Sequence, residues 1–81
     1  GTTRAVVEEL ARAAGLRCET RMVSEAELRS ADEIWLSAAV RGLAAVTRLD
    51  DRPVGTGRPG PWFRQLNADF TALRQQLAGT P

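Results

Sequence analysis

Residues 31–61, ADEIWLSAAVRGLAAVTRLDDRPVGTGRPGP, hold the pattern that decides the fold. The acidic pair Asp32 and Glu33 leads into an apolar run centred on Trp35, which predicts a strand. The small residues of 37–39 follow at once and predict a bare loop. Uncovered backbone N–H groups in such a loop allow a phosphate or carboxylate to approach closely.

The second half of this stretch predicts a hairpin and then a sharp bend. Residues 43–54 read as two apolar arms that turn at Asp50 and Asp51, although glycine would suit the second turn position better. Residues 55–60 satisfy the letters G-x-G-x-x-G, but only one helix follows, so a dinucleotide site is rejected. Gly60 and Pro61 instead predict the start of a helix over 62–77.

Composition limits the chemistry available to this chain. Its 81 residues make one small domain at most, and its net charge of +1 gives no reason to expect a nucleic-acid partner. All eleven basic residues are arginine, and His, Lys and Tyr are absent, which excludes a Ser/His/Asp triad and a histidine-based zinc site. No apolar run is long enough for a membrane span, and a cytoplasmic location is the default expectation.

The first third of the chain predicts a helix, a strand and a short capped helix. The spacing of apolar residues over 4–14 predicts the first helix, ended by Gly15, with Thr2 or Thr3 as its N-cap or as part of an anion site. Alternation over 16–23 predicts a strand that turns Cys18 and Met22 inward, with the thiol in a structural role.

A short helix is expected next. Ser24 and Glu27 match a capping box, with Leu28 facing inward. Asp32 and Glu33 would point to opposite faces of a strand, so structural or capping roles are expected rather than a shared catalytic site. The last helix carries an apolar seam made of Phe63, Leu66, Phe70, Leu73 and Leu77.

Three segments together resemble the fold-type IV pyridoxal-phosphate enzymes, which include branched-chain and D-amino-acid aminotransferases and aminodeoxychorismate lyases. Residues 1–4, GTTR, are similar to the family's G-I-T-R helix start. Residues 31–37, ADEIWLS, are similar to its A-D-E-[VI]-[FW]-[LIM]-[ST] strand, and residues 46–61 are similar to its glycine-rich hairpin. The resemblance covers nearly the whole chain.

The resemblance implies a fold and a set of site residues. The fold class is α/β (α+β) in the order helix, strand, helix, strand, hairpin, helix, with residues 1–81 as the C-terminal part of the large cofactor-binding domain. The phosphate of pyridoxal 5'-phosphate would be held by Thr2, Thr3, Ala38 and Ala39, and the substrate carboxylate by the backbone of Ala39 and Val40. No catalytic residue falls within the chain.

The resemblance also implies partners. The lysine that carries the cofactor lies upstream in this family, so the chain alone should be inactive and would need the missing N-terminal part of the same enzyme. The expected substrates are an amino acid and a 2-oxo acid, and the expected assembly is a homodimer. Two alternatives stay open: an aminodeoxychorismate lyase, favoured by the small-then-apolar pair Ala39 and Val40, and a non-catalytic α/β interaction module.

Overall fold

The computed structural model describes residues 2–38 and 42–78. The fold mixes helices and strands, as expected. Its elements in chain order are α1 (Thr2–Ala13), α2 (Glu25–Arg29), β1 (Ile34–Ala38), β2 (Gly42–Val46), β3 (Arg48–Leu49), β4 (Arg52–Pro53) and α3 (Pro61–Ala78).

Two antiparallel strand pairs form the sheet structure. β1 pairs with β2 so that Trp35 lies opposite Ala45 and Leu36 opposite Ala44. β3 pairs with β4 in a second, two-residue ladder. The turn between β3 and β4 holds Asp50 at φ 50° and Asp51 at φ 65°, which is the left-handed geometry that tight hairpins need. The turn predicted at Asp50 and Asp51 is therefore confirmed, but the ladder across it holds only residues 48–49 and 52–53. The apolar arm expected over 43–46 pairs with β1 instead.

The core lies where α1 and α3 pack on one face of the β1–β2 sheet. Ala11 of α1, Leu43 of β2 and Leu66 of α3 form the buried cluster, and Trp35 and Phe63 pack against it. Leu66 is fully buried. The rings of Trp35 and Phe63 meet edge to face with centroids 6.5 Å apart. These contacts hold the two long helices together over a single small sheet.

The helix boundaries follow recognisable sequence signals. α1 ends in a Schellman motif, in which Leu16 N–H donates to the Ala11 carbonyl and Gly15 N–H to the Arg12 carbonyl, each at 3.0 Å. The predicted Gly15 cap is thus confirmed. The seam of α3 is buried at Leu66 and Phe70 but ends at Leu77, which is 68% exposed.

The prediction of a strand over 16–23 was wrong. Within the described residues no strand pairs with this segment, so its backbone forms no ladder despite the alternating sequence. Met22, expected in the core, is 94% exposed, and Leu28 of α2 is 39% exposed. Cys18 is half-buried, with its Sγ 3.9 Å from the Glu8 carbonyl. An alternation of apolar and polar residues is not enough to form a strand, because a strand also needs a neighbouring strand to pair with.

No helix in the described ranges is both long enough and apolar enough to cross a membrane.

Candidate phosphate-binding site

The first turn of α1 is the candidate anion site nearest the chain start. The helix begins at Thr2, so the prediction that Thr2 or Thr3 serves as N-cap was wrong: the cap position precedes Thr2 and lies outside the described residues. Both threonines lie instead inside the first turn, and Thr3 is half-buried. The N–H groups of a helix's first four residues have no partner within the helix. Thr2 and Thr3 contribute two of these donors.

The electrostatics of this turn favour an anion. The first turn of α1 contains no acidic residue. Arg4, one residue further on, donates to Glu8 at 3.1 Å and to the Thr20 hydroxyl at 3.0 Å. Among the described side chains, none accepts a hydrogen bond from the backbone N–H of Thr3. The partial positive charge of the helix end is thus not neutralised by a described carboxylate.

The N-terminus of α2, in contrast, is closed by its own side chains. Glu27 N–H donates to Ser24 Oγ at 3.1 Å, and Ser24 N–H donates to Glu27 Oε1 at 3.3 Å. The predicted capping box is confirmed. Hydrogen bonds from the Arg21 side chain, and then from the Ser24 N–H, lower the pKa of Glu27 from 4.5 to about 2. The carboxylate therefore stays ionised at neutral pH.

The N-terminus of α3 is closed from a distance by Glu33. Its carboxylate accepts from the backbone N–H of Phe63 at 2.9 Å and of Trp62 at 3.2 Å, and from the Trp35 indole at 3.1 Å. We call these four groups the glutamate clamp. It joins the residue before β1 to the first turn of α3 and so confirms a capping role for Glu33. The cavity beside it measures only about 10 Å³, which leaves room for one water at most.

Gly60 makes the glutamate clamp possible. A Cβ placed on Gly60 would overlap the Glu33 carboxylate, so any larger residue would force that carboxylate to move. Similarly, a Cβ on Gly55 would overlap the Asp32 carbonyl oxygen. Two glycines of the G-x-G-x-x-G stretch thus make room for neighbouring groups: Gly55 for the Asp32 backbone and Gly60 for the Glu33 carboxylate. Sequence reasoning assigned Glu33 a capping role but missed its partners, which lie 29 and 30 residues away.

The other predicted site residues lie at or beyond the end of β1. Ala38 is the last residue of that strand, exposed and opposite Gly42. Ala39 and Val40 lie outside the described residues. α1 and β1 pack against each other, but no hydrogen bond among the described residues joins the first turn of α1 to Ala38. The structure brings the two carrying elements together and leaves the assignment of the site residues a prediction.

Comparison with known proteins identifies the family of this chain. The sequence profile of the family "Amino-transferase class IV" matches residues 1–49, more than half of the chain. The chain belongs to the class IV aminotransferase family. The matched residues contain α1, both residues of the candidate phosphate turn, and the β1–β2 pair.

Individual relatives align with almost the whole chain. The chain is 36% identical over 73 residues to the branched-chain-amino-acid aminotransferase-like protein 2 of Arabidopsis thaliana, and this alignment covers 90% of the chain and 13% of the relative. It is 32% identical over 77 residues to the D-alanine aminotransferase of Bacillus licheniformis, covering 95% of this chain and 26% of the relative. A probable branched-chain-amino-acid aminotransferase of Aquifex aeolicus is 31% identical, with coverages of 94% and 25%.

The chain therefore spans between 13% and 26% of the length of these class IV relatives. The alignments with these relatives cover at least nine-tenths of the chain. They therefore continue past residue 49, where the family profile ends, into α3 and its part of the glutamate clamp. The predicted family resemblance is confirmed.

Proposed function

We propose that this chain is the C-terminal part of a pyridoxal-phosphate-dependent aminotransferase that moves an amino group between an amino acid and a 2-oxo acid. The family membership supports the reaction class. The chain's small share of its relatives supports a longer parent enzyme. In this proposal residues 1–81 belong to the large cofactor-binding domain, and they supply contacts rather than reacting groups.

The proposed role of the chain is to hold the cofactor phosphate. The observation that carries it is the contrast between helix ends. Side chains of this chain cap the N-termini of α2 and α3, whereas the first turn of α1 has no acidic residue and no described side chain accepts from the Thr3 N–H. The backbone N–H groups of Thr2 and Thr3 and the Thr3 hydroxyl would donate to phosphate oxygens, as charge-assisted bonds. Ala38 and Ala39 would approach the phosphate from the β1 side, and the backbone of Ala39 and Val40 would receive the substrate carboxylate.

The reacting groups must come from elsewhere. Pyridoxal phosphate, when bound, supplies an electron sink for the carbanion formed at the substrate's α-carbon. The lysine that carries the cofactor is absent from these 81 residues, so the parent's remaining polypeptide has to provide it. This chain's contribution is to orient the phosphate and, through it, the cofactor ring.

Amino transfer by the polypeptide that contains residues 1–81 tests the reaction class. The donor panel should include branched-chain amino acids and D-alanine, since relatives are named for both. Formation of the corresponding 2-oxo acids, dependent on added pyridoxal phosphate, is the expected result. Pyruvate release from aminodeoxychorismate without any amino acceptor would support the lyase alternative instead. Failure of both reactions would support an interaction module.

A matched pair of variants tests the phosphate contact. Thr3→Val removes the hydroxyl from the first turn of α1 and keeps the side-chain shape. We expect about tenfold weaker binding of pyridoxal phosphate, the typical effect of losing one hydrogen bond to a charged group. Thr71→Val, at an exposed position of α3, is the control and should bind like the unmodified protein. Phosphate-free pyridoxal should not distinguish Thr3→Val from the parent, and equal loss for both ligands would remove the hydroxyl from the phosphate site.

A further inference from the structure

Gly42 is the residue at which the chain leaves the connection 39–41 and enters β2. It pairs with Ala38, the last residue of β1, so three residues of sequence join the two strands. Gly42 is buried and has φ +79°, a conformation that residues with a side chain rarely adopt. Because each residue adds at most about 3.8 Å of chain, fixing Gly42 limits where the backbone of Ala39 and Val40 can lie.

Two side chains of α3 contact Gly42. A Cβ placed on Gly42 would lie 2.9 Å from Phe70 Cε1 and 3.1 Å from Arg74 Nη1. The phenyl ring and the guanidinium therefore occupy the space that a side chain at this position would need. The guanidinium also lies over the Phe70 ring, with its Cζ 5.6 Å from the ring centroid, which is cation–π geometry. We call Phe70 and Arg74 the glycine brace.

The glycine brace supplies a restraint that Gly42 itself lacks. Glycine has more backbone freedom than any other residue, so the left-handed conformation at Gly42 needs support from its surroundings. Phe70 is 7% exposed and provides a fixed surface within the core. Arg74, an exposed residue, extends that surface with its planar guanidinium. The two side chains together restrict the start of β2.

α3 connects the glycine brace to the glutamate clamp at the other end of the sheet. The clamp binds the first turn of α3 at Phe63, and the helix rises about 16.5 Å from there to Arg74, at 1.5 Å per residue. β1 rises by the same distance, about 16.5 Å, between Glu33 and Ala38, at 3.3 Å per residue. Leu66 packs in the core between these two ends. α3 thus contacts both ends of the β1–β2 pair.

We propose that Arg74, supported by Phe70, is a positioning residue for the substrate-binding loop. This inference rests on the proposed function, in which the backbone of Ala39 and Val40 receives the substrate carboxylate. A loop that must be ordered during binding loses affinity, because the ordering costs conformational entropy. Arg74 lowers that cost by holding Gly42, on which the loop ends, and it needs no contact with the substrate for this role.

Two arginines of α3 provide a matched test. Arg74 and Arg64 are both exposed, but Arg64 Nη1 donates to the Pro59 carbonyl at 2.6 Å, at the end of α3 away from Gly42. Each is replaced by methionine in the polypeptide that contains residues 1–81, loaded with pyridoxal phosphate. We expect Arg74→Met to raise the KM for the best amino donor about fivefold and to change kcat less than about twofold, the pattern of weakened binding. Arg64→Met should change neither constant.

Arg74→Lys separates position from charge. Lysine keeps the positive charge but not the planar group that lies on the Phe70 ring, so the raised KM should persist in this variant. Full recovery of the KM with lysine would assign the effect to charge alone and overturn the positioning role.

Thermal unfolding separates positioning from stability. Because Arg74 is exposed, the melting temperature of Arg74→Met should stay within about 2 °C of the unmodified protein. A larger fall, or no folded protein, would show a role in stability and overturn the inference. An unmodified polypeptide that transfers no amino group would overturn the proposed function together with this inference. Amino transfer with an unchanged KM in Arg74→Met, or with an equal rise in Arg64→Met, would overturn this inference alone.

Discussion

The N-termini of α1 and α3 present the same backbone donors in opposite states. At α3, the Glu33 carboxylate accepts from Trp62 and Phe63 and leaves no place for an outside anion. At α1, the first turn has no acidic residue, and no described side chain accepts from the N–H of Thr3. A helix N-terminus attracts anions in proportion to how little of its charge the protein has already neutralised. The comparison supports our proposal that α1, and not α3, receives an external phosphate.

Replacing Gly60 by alanine should have the largest effect at the closed end. The new Cβ would overlap the Glu33 carboxylate, so the carboxylate must shift away from the donors of α3. We expect a loss of about 3 kcal/mol in the free energy of unfolding, through overpacking and unpaired donors. Urea unfolding measures it.

Gly15→Ala is the control for Gly60→Ala. Gly15 has φ +94° but nothing within 4 Å of an added Cβ, so alanine there introduces backbone strain without a clash. Its cost should be about 1 kcal/mol. A Gly60→Ala cost no greater than this would show that the glutamate clamp adapts freely and is not tightly packed.

Glu33→Gln should have the second-largest effect. The amide keeps one acceptor oxygen but turns an NH₂ group toward donors, so at least one of the three N–H groups now bound loses its partner. We expect the free energy of unfolding to fall by about 2 kcal/mol, the usual cost of an unpaired N–H donor together with a lost charge-assisted hydrogen bond. Denaturant unfolding of Asp32→Asn, at the exposed neighbouring position, should show almost no change. An equal loss in both variants would contradict the distinction between the two carboxylates.

Ser24→Ala should have a smaller and local effect on α2. Loss of an N-cap hydroxyl costs about 1 kcal/mol, or about a fivefold faster opening of the helix. Hydrogen exchange at the amides of Ser30 and Ala31, which donate within the end of this helix, reports the opening. Because α2 contains no buried residue, the exchange of α3 amides should not change. Faster exchange throughout the chain would show that α2 is coupled to the core.

The smallest effect is a pH dependence confined to α2. The pKa of Glu27 falls from 4.5 to about 2 in the folded state, chiefly through the Arg21 hydrogen bond and then the Ser24 N–H. A depressed carboxyl pKa stabilises the folded state above pH 4.5, and this stabilisation is lost as the pH falls from 4.5 toward 2. The protection factors of the α2 amides, which compare observed with intrinsic exchange, should therefore fall in that window. Glu27→Gln should remove the pH dependence, and its persistence would assign the titration to another group.

Local signals predicted the helix ends and the short hairpin well, since their causes lie within a few residues. Gly15 ended α1, Ser24 and Glu27 capped α2, and Asp50 with Asp51 formed the turn. Long-range partners were beyond sequence reasoning. The alternation of 16–23 could not reveal that no described strand lies beside it, and the letters around Glu33 could not name the α3 amides as its donors.

The candidate site was predicted from the family resemblance and from the N-terminus of α1, and the structure bears on only some of its residues. The structure corrected the capping role of Thr2 and Thr3 because α1 starts earlier than its apolar periodicity indicated. It placed Ala38 at the end of β1, whereas Ala39 and Val40 lie outside the described residues. The phosphate assignment at all four cofactor positions therefore stays a prediction.

Amide chemical shifts during titration with pyridoxal phosphate test the phosphate assignment most directly. The polypeptide containing residues 1–81 is isotope-labelled, and pyridoxal without phosphate provides the reference titration. We predict that the phosphate-dependent shifts concentrate at the amides of Thr2 and Thr3, while those of Trp62 and Phe63, already bound by Glu33, stay in place. Phosphate-dependent shifts at Trp62 and Phe63, or none at Thr2 and Thr3, would contradict the assignment of α1 as the phosphate-binding helix.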